Sequence, residues 1–146
     1  MIDKTWIGKE LVPSVLHIER SRLKQFAKAT GETDPVYTDP AAARASGHAD
    51  IPAPPTFLFS VELDSGATFR MLADMGVPLD KLLHGEQHFV YHQVACAGDT
   101  VTVRSTIEDI HDKKGGALEF IVKASRAFNQ RDELVAEMRS VLICRR

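Results

Sequence analysis

Cysteine is scarce in this chain. Cys96 and Cys144 are the only two in 146 residues, and no Cys-x-x-Cys or comparable ligand spacing exists, which excludes a thiolate zinc cluster. They read as buried or edge thiols of a reducing compartment, with a single disulfide as the open alternative. Cys96 precedes Gly98-Asp99, where a turn could expose it. A surplus of one charge is also missing. With 18 basic against 20 acidic residues and a net charge of −2, little is left to neutralise phosphates, so nucleic acid and anionic membranes are poor partners. Long apolar runs are absent too. A membrane span needs about 20 consecutive apolar residues, and the best candidate is cut by Glu62 and Asp64. The start, Met1-Ile2-Asp3-Lys4-Thr5-Trp6, lacks the basic-then-apolar layout of a secretory signal, so a cytoplasmic protein is expected. Repeats, low-complexity tracts and interdomain linkers are lacking. One domain over 1–146 is expected, and a hydrophobic content of 44% is enough to build its core.

What is present divides by period. From Ile18 to Thr30, apolar Ile18, Leu23, Phe26 and Ala27 recur at steps near three and four, opposite Lys24 and Lys28. This predicts an amphipathic helix, stopped by Gly31 in a left-handed conformation. Between Glu32 and Pro55 the prolines and turn dipeptides are too dense for a long helix or central strand. An ordered loop is expected there, with a short helix at Pro40–Ser46 that Asp39 can cap. The next run, Thr56-Phe57-Leu58-Phe59-Ser60-Val61-Glu62-Leu63, is apolar almost all round and continues less regularly to Leu72. A helix of that kind must be buried on every side, and Thr56 is placed to cap it.

The last third alternates with period two. Phe89 and Tyr91, then Val101, Val103 and Ile107 on odd positions, Leu118, Phe120, Val122, Ala124 and Phe128 on even ones, and Leu134, Ala136, Met138 and Leu142 likewise, predict half-buried strands. Short turns make consecutive strands antiparallel neighbours. A first strand near Trp6–Leu11 would complete a five-stranded sheet. An α+β architecture follows, with the sheet curled round the apolar helix and Arg104, Glu108, Glu119 and Lys123 facing away. A flat sheet under several helices is the alternative.

The densest polar cluster, Gly31-Glu32-Thr33-Asp34-Pro35-Val36-Tyr37, followed by Pro40-Ala41-Ala42-Ala43, resembles the active-site motif of the MaoC-like (R)-specific enoyl-CoA hydratase and dehydratase superfamily, whose members have the hotdog fold. That motif reads glycine, aspartate, any residue, asparagine, proline, an aliphatic residue and histidine. Gly31, Pro35 and Val36 match it, whereas Glu32 stands at the catalytic aspartate, Asp34 at the asparagine and Tyr37 at the catalytic histidine. The segments Phe26–Gly31, Ala53–Phe57, Gly85–Phe89 and Ala97–Thr100 resemble more specifically the N-terminal subfamily with fatty-acid-synthase-like dehydratase domains. That subfamily includes the accessory subunit of the mycobacterial (R)-3-hydroxyacyl-acyl-carrier-protein dehydratase. The resemblance implies an acyl-CoA or acyl-ACP ligand, no cofactor and no metal. It also implies pairing with a like hotdog, as a homodimer or as a heterodimer with a catalytic MaoC-like subunit that retains aspartate and histidine.

The departures bear on the chemistry. Adding water across an enoyl thioester requires a base for the water, an acid for the α-carbon, and donors at the thioester oxygen. Glutamate keeps a carboxylate at position 32 but moves its oxygens by about 1 Å or more, and a misplacement of that size costs about a hundredfold. Tyrosine, with an ordinary pKa of about 10, can donate at neutral pH but is a poor base. Glu32, Asp34 and Tyr37 are therefore the catalytic candidates, with turn formation and capping as the plain alternative for the two acids. Catalytic relatives commonly carry a histidine-glycine pair at the start of the buried helix. Here Pro54, Pro55, Thr56 and Phe57 take that place as the candidate substrate-binding residues, and the amides of Thr56 and Phe57 are the remaining thioester-oxygen donors.

His84, His88 and His92 recur every fourth residue, yet on a strand that step spans roughly 13 Å, too far for one metal ion. His88 is expected to face the helix opening and bind substrate; the other two read as surface or interface residues. His48, beside Gly47, reads as a loop residue, with pocket lining as the lesser alternative. Three functions stay open on these residues: a thioester-binding subunit served by a catalytic partner, a self-sufficient hydratase using Glu32, Asp34 or Tyr37, and a hotdog acyl-CoA thioesterase.

Overall fold

The segment from Ile18 forms helix α1 (Arg20–Ala29) in the computed structural model, which describes residues 1–146. Its spacing works as expected: Leu23 and Ala27, one turn apart, are buried, and Gly31 closes the end at φ +73° while the Glu32 amide donates to the Ala27 carbonyl at 2.9 Å. Such a left-handed exit is open to glycine without a Cβ clash. The proline-rich loop holds α2 (Pro40–Ala45), capped as expected by Asp39, whose Oδ1 accepts from the Ala41 amide at 2.9 Å.

Five antiparallel strands follow the expected count: β1 (Ser14–His17), β2 (Leu82–Tyr91), β3 (Thr100–Lys113), β4 (Leu118–Phe128) and β5 (Leu134–Arg145), in the order β1-β3-β4-β5-β2. The first strand is not at Trp6–Leu11. Lys4–Trp6 is a 3₁₀ turn capped by Asp3, Gly8 turns the chain at φ +82°, and only Glu10 makes a bridge, to Thr106, before β1 begins at Ser14. Trp6 and Leu11 are apolar because they pack against one end of the core, not because they alternate along a strand.

The apolar run also differs from one continuous helix. It forms α3 (Phe59–Asp64) and α4 (Ala67–Asp74), separated at Gly66 with φ +72°. Thr56 has φ +74° and so cannot lie in a right-handed helix. Residues 55–58 form tight turns instead, with the Phe57 amide bonded to the Pro54 carbonyl at 3.0 Å and that of Ser60 to Phe57 at 2.8 Å. Proline at 54 and 55 keeps the backbone there extended and removes donors.

The helices cover the inner face of the sheet. Val101, Val103 and Ile107 of β3 and Ala136, Met138 and Leu142 of β5 point inward as their periodicity predicts. On β4 the faces are reversed. Glu119 and Lys123, expected outside, are 3% and 2% exposed, in one row with Ile121, Ser125 and Ala127. The even positions include Phe120, which stacks on His111 at 5.0 Å and lies under the Lys113 ammonium. The reversal is tolerable because each inward charge is neutralised. Lys123 Nζ lies 2.7 Å from Oε1 of Glu62, itself buried in α3. Glu119 accepts from the Ile2 amide at 2.6 Å and pairs with Arg146. Burial alone would raise the Glu119 carboxyl, but the Arg146 bond, the Ile2 amide and the N-terminal ammonium hold it below its ordinary value. No buried side-chain nitrogen or oxygen lacks a partner, as a core tolerant of inward charges requires.

Cys96 and Cys144 are buried free thiols, and burial pushes the Cys96 thiol up, away from reactivity at neutral pH. No helix is long and apolar enough to cross a membrane.

Candidate functional site

A cavity of about 180 Å³ opens where the turn before α3 meets the end of β2 and the start of β5. Pro52, Ala53, Pro54 and Pro55 form one wall, Leu58 and Val135 contribute apolar surface at the helix and sheet, and Tyr37, His48, Tyr91 and Gln93 supply the polar groups. The fold positions these groups from distant segments. The Asp34 cap fixes the 3₁₀ turn Pro35–Tyr37 and so presents Tyr37, and alternation on β2 points Tyr91 to the same face as Phe89, on which its ring stacks at 5.6 Å.

The expected site residues separate into those that reach this cavity and those that do not. Tyr37, Pro54 and Pro55 line it. Burial, then the negative charges of Glu32 and Asp34, push the Tyr37 phenol above its ordinary value, so at neutral pH it is a hydroxyl donor and not a base. Glu32 and Asp34 face their own backbone. Oε1 of Glu32 accepts from the amides of Thr33 at 2.8 Å and Asp34 at 3.0 Å, and Oδ1 of Asp34 accepts from Val36 at 2.9 Å. These are turn-closing bonds, and no carboxylate lines the cavity.

Thr56 stands at the rim, and its amide donates to the Tyr91 hydroxyl at 2.8 Å. The donor expected to meet a thioester oxygen is thus already occupied by a phenol from another element. The left-handed φ of +74° is a conformation in which glycine is unstrained and a β-branched residue is not. Phe57 is 1% exposed and meets Phe26 edge-on at 5.4 Å between centroids, so its ring serves the core.

His88 does not face the helix opening. It pairs with Arg139 on the outer face of the sheet and lies 3.2 Å from Glu86, because alternation that sends Phe89 inward sends its neighbour out. His84 packs on Phe59 at 5.0 Å, and His92 bonds Glu137 at 3.0 Å. The histidine in the cavity wall is His48, and it ion-pairs with no carboxylate. Tyr91 is the residue sequence reasoning missed. Its strand position was legible, but its partner lies 35 residues back, and no local pattern signals that bond.

A curled antiparallel sheet with short helices on its concave face and a cavity at the helix start defines a hotdog of the MaoC-like kind. The fold matches the HadBC (3R-hydroxyacyl-ACP dehydratase) complex of Mycobacterium tuberculosis with a TM-score of 0.81 at 24% identity, over 94% of this chain and 96% of that chain. It also matches the (R)-hydratase PhaJ1 of Pseudomonas aeruginosa with a TM-score of 0.73 at 19% identity, over 95% and 81% respectively. The chain belongs to the family described as FAS1-like, dehydratase domain region, whose model matches residues 5–138. A UPF0336 protein of Streptomyces avermitilis is 37% identical over 115 residues, 78% of this chain and 77% of the relative. One of Parafrankia is 34% identical over 146 residues, 99% and 95%.

Proposed function

We propose that this chain is the acyl-thioester-binding subunit of an (R)-specific 3-hydroxyacyl or enoyl thioester dehydratase, and that a second MaoC-like hotdog supplies the aspartate and histidine that move the protons. The observation that carries this reading is the state of the site's own groups. A cavity suited to an apolar acyl group is intact, yet Glu32 and Asp34 are turned into backbone caps, Tyr37 is held protonated, and the Thr56 amide is filled by Tyr91. Base, acid and oxyanion donor are each required for hydration. The Tyr37 hydroxyl can donate, but the only free group that could act as a base is His48, which lacks the carboxylate that would orient and tune it.

The sheet supports pairing. β2 is an edge strand, and it leaves Leu83, Val90 and Tyr91 exposed, with Val94 just beyond. An open edge with apolar side chains is a surface that a second copy or a like subunit covers by strand addition. The HadBC structure, to which this chain is similar, is described as a complex.

The test is to purify the chain alone and together with a hotdog subunit that retains aspartate and histidine, encoded beside it. The chain alone is expected to bind crotonyl-CoA without hydrating it, and the pair is expected to hydrate it. Hydration by the lone chain that is lost in Glu32→Ala would instead establish a self-sufficient hydratase, and release of free thiol would establish a thioesterase.

A further inference from the structure

The apolar interior is interrupted by a row of polar side chains that crosses the whole sheet. One hydrophobic cluster contains Leu58, Ala95 and Val135 of the cavity wall and continues through Val61, Ala136 and Met138. A second contains Met71, Leu72, Ile107, Ile121, Leu142 and Cys144 at the far end. Between them lie Glu62 and Lys123, joined at 2.7 Å. Ser105 donates to the same Glu62 oxygen at 2.7 Å, Ser125 lies 3.4 Å from the other, and the two serines are 2.8 Å apart. Toward β2 the row continues through Ser140, bonded to Gln87 at 2.7 Å, and toward β1 through Ser14, 2.8 Å from Ser65. Every strand contributes a member. These groups satisfy one another, so the row cannot admit an alkyl chain without breaking hydrogen bonds that an alkyl chain cannot replace.

We infer that this buried row is the floor of the acyl site and restricts it to short chains, of about six carbons. The inference rests on the thioester reading above. Two independent observations carry it. The cavity holds about 180 Å³, close to the roughly 150 Å³ apolar cavity that accommodates a benzene ring. Below it, the apolar bed is shallow: Leu58 and Glu62 are one helical turn apart, about 6 Å of rise, and Ala136 opposite Tyr91 is separated from Ser140 by roughly 13 Å of strand. A longer acyl group meets a carboxylate and an ammonium, where a methylene gains nothing from burial.

Calorimetric titration of the full chain with butyryl-, hexanoyl-, decanoyl- and palmitoyl-CoA tests this. Affinity is expected to rise by about fourfold per methylene from butyryl to hexanoyl and then to stay level or fall. In the paired Glu62→Leu/Lys123→Met variant the rise should extend to decanoyl-CoA. Met138→Ala, on the cavity side of the row, should widen the near chamber and still exclude palmitoyl-CoA, which keeps the inference testable should the paired variant fail to fold. Palmitoyl-CoA binding tighter than hexanoyl-CoA in the unmodified chain, or an unchanged cut-off in the folded paired variant, overturns the inference alone. Failure of every acyl-CoA to bind overturns the thioester reading with it.

Discussion

Replacing Lys123 by methionine keeps an unbranched chain only one heavy atom shorter while removing the charge and its hydrogen-bond donors, which makes it the sharpest probe of the interior. Lys123 and Glu62 are 2% and 4% exposed, and their charged atoms are 2.7 Å apart. In Lys123→Met the Glu62 carboxylate stays buried with only the Ser105 and Ser125 hydroxyls as donors. Removing one partner of such a pair typically costs about 3–5 kcal/mol, whereas replacing both by apolar groups of similar volume is often neutral or stabilising. For a chain of this size 1 kcal/mol corresponds to roughly 2–4 °C in Tm, so Lys123→Met should melt on the order of 10 °C below the unmodified protein. Glu62→Leu/Lys123→Met should return to within about 1 kcal/mol of it. Urea unfolding followed by circular dichroism at fixed protomer concentration measures this, and because each single variant should lose about 3 kcal/mol or more and the double at most about 1 kcal/mol, the double-mutant cycle should give a coupling of at least about 5 kcal/mol. A loss below about 1 kcal/mol in Lys123→Met, or a double variant less stable than both singles, would refute the buried pair as described.

Three further outcomes follow from the geometry. Tyr91→Phe releases the Thr56 amide; one hydrogen bond is worth about 1 kcal/mol net, so butyryl-CoA should bind roughly fivefold tighter, and weaker binding would mean that the phenol itself holds the ligand. Gly85→Ala would place a Cβ 2.7 Å from Ile143 Cδ1 and 3.2 Å from the Val141 carbonyl, next to the bulge of β2; overpacking of this kind costs about 1–3 kcal/mol, visible as a Tm lowered by several degrees, and an unchanged Tm would contradict the contact. The Asp50 carboxyl is held at about 2, down from 3.8, first by its hydrogen bonds from Arg20 and then by the Ile51 amide. Because the folded value lies below the unfolded one, the stabilisation is present above pH 3.8 and is lost as pH falls toward 2. Acid titrations of the unmodified protein and of Asp50→Asn should therefore diverge in that window, and coincident curves would exclude the linkage.

The parts of the fold that the sequence announced are those whose causes are neighbours along the chain. Gly31 ends α1, Asp39 and Pro40 start α2, and the alternation on β3 and β5 sets their inner faces. Each is a contest settled within one or two turns of backbone. The hotdog fold was legible in the same way, as an ordered set of short segments around an apolar run. The errors share a different origin. Counting apolar residues on β4 selected the wrong face, because Lys123 and Glu119 are admitted to the core by Glu62 and Arg146, partners supplied from elsewhere in the chain. Thr56 looked like a helix cap because its left-handed backbone is not written in its own chemistry.

The candidate site shows the same division. By itself the sequence determined that the carboxylate–histidine pair of the resembled family is altered at Glu32 and Tyr37, since residue identity at a motif position needs no coordinates. Only the tertiary structure decided that Glu32 and Asp34 close their own turn, that Tyr91 fills the Thr56 amide, that His48 joins the cavity wall while His88 leaves it, and that an ion pair lies beneath. The physical reason is strand register. It joins residues tens of positions apart, and one step along a strand exchanges the inner face for the outer.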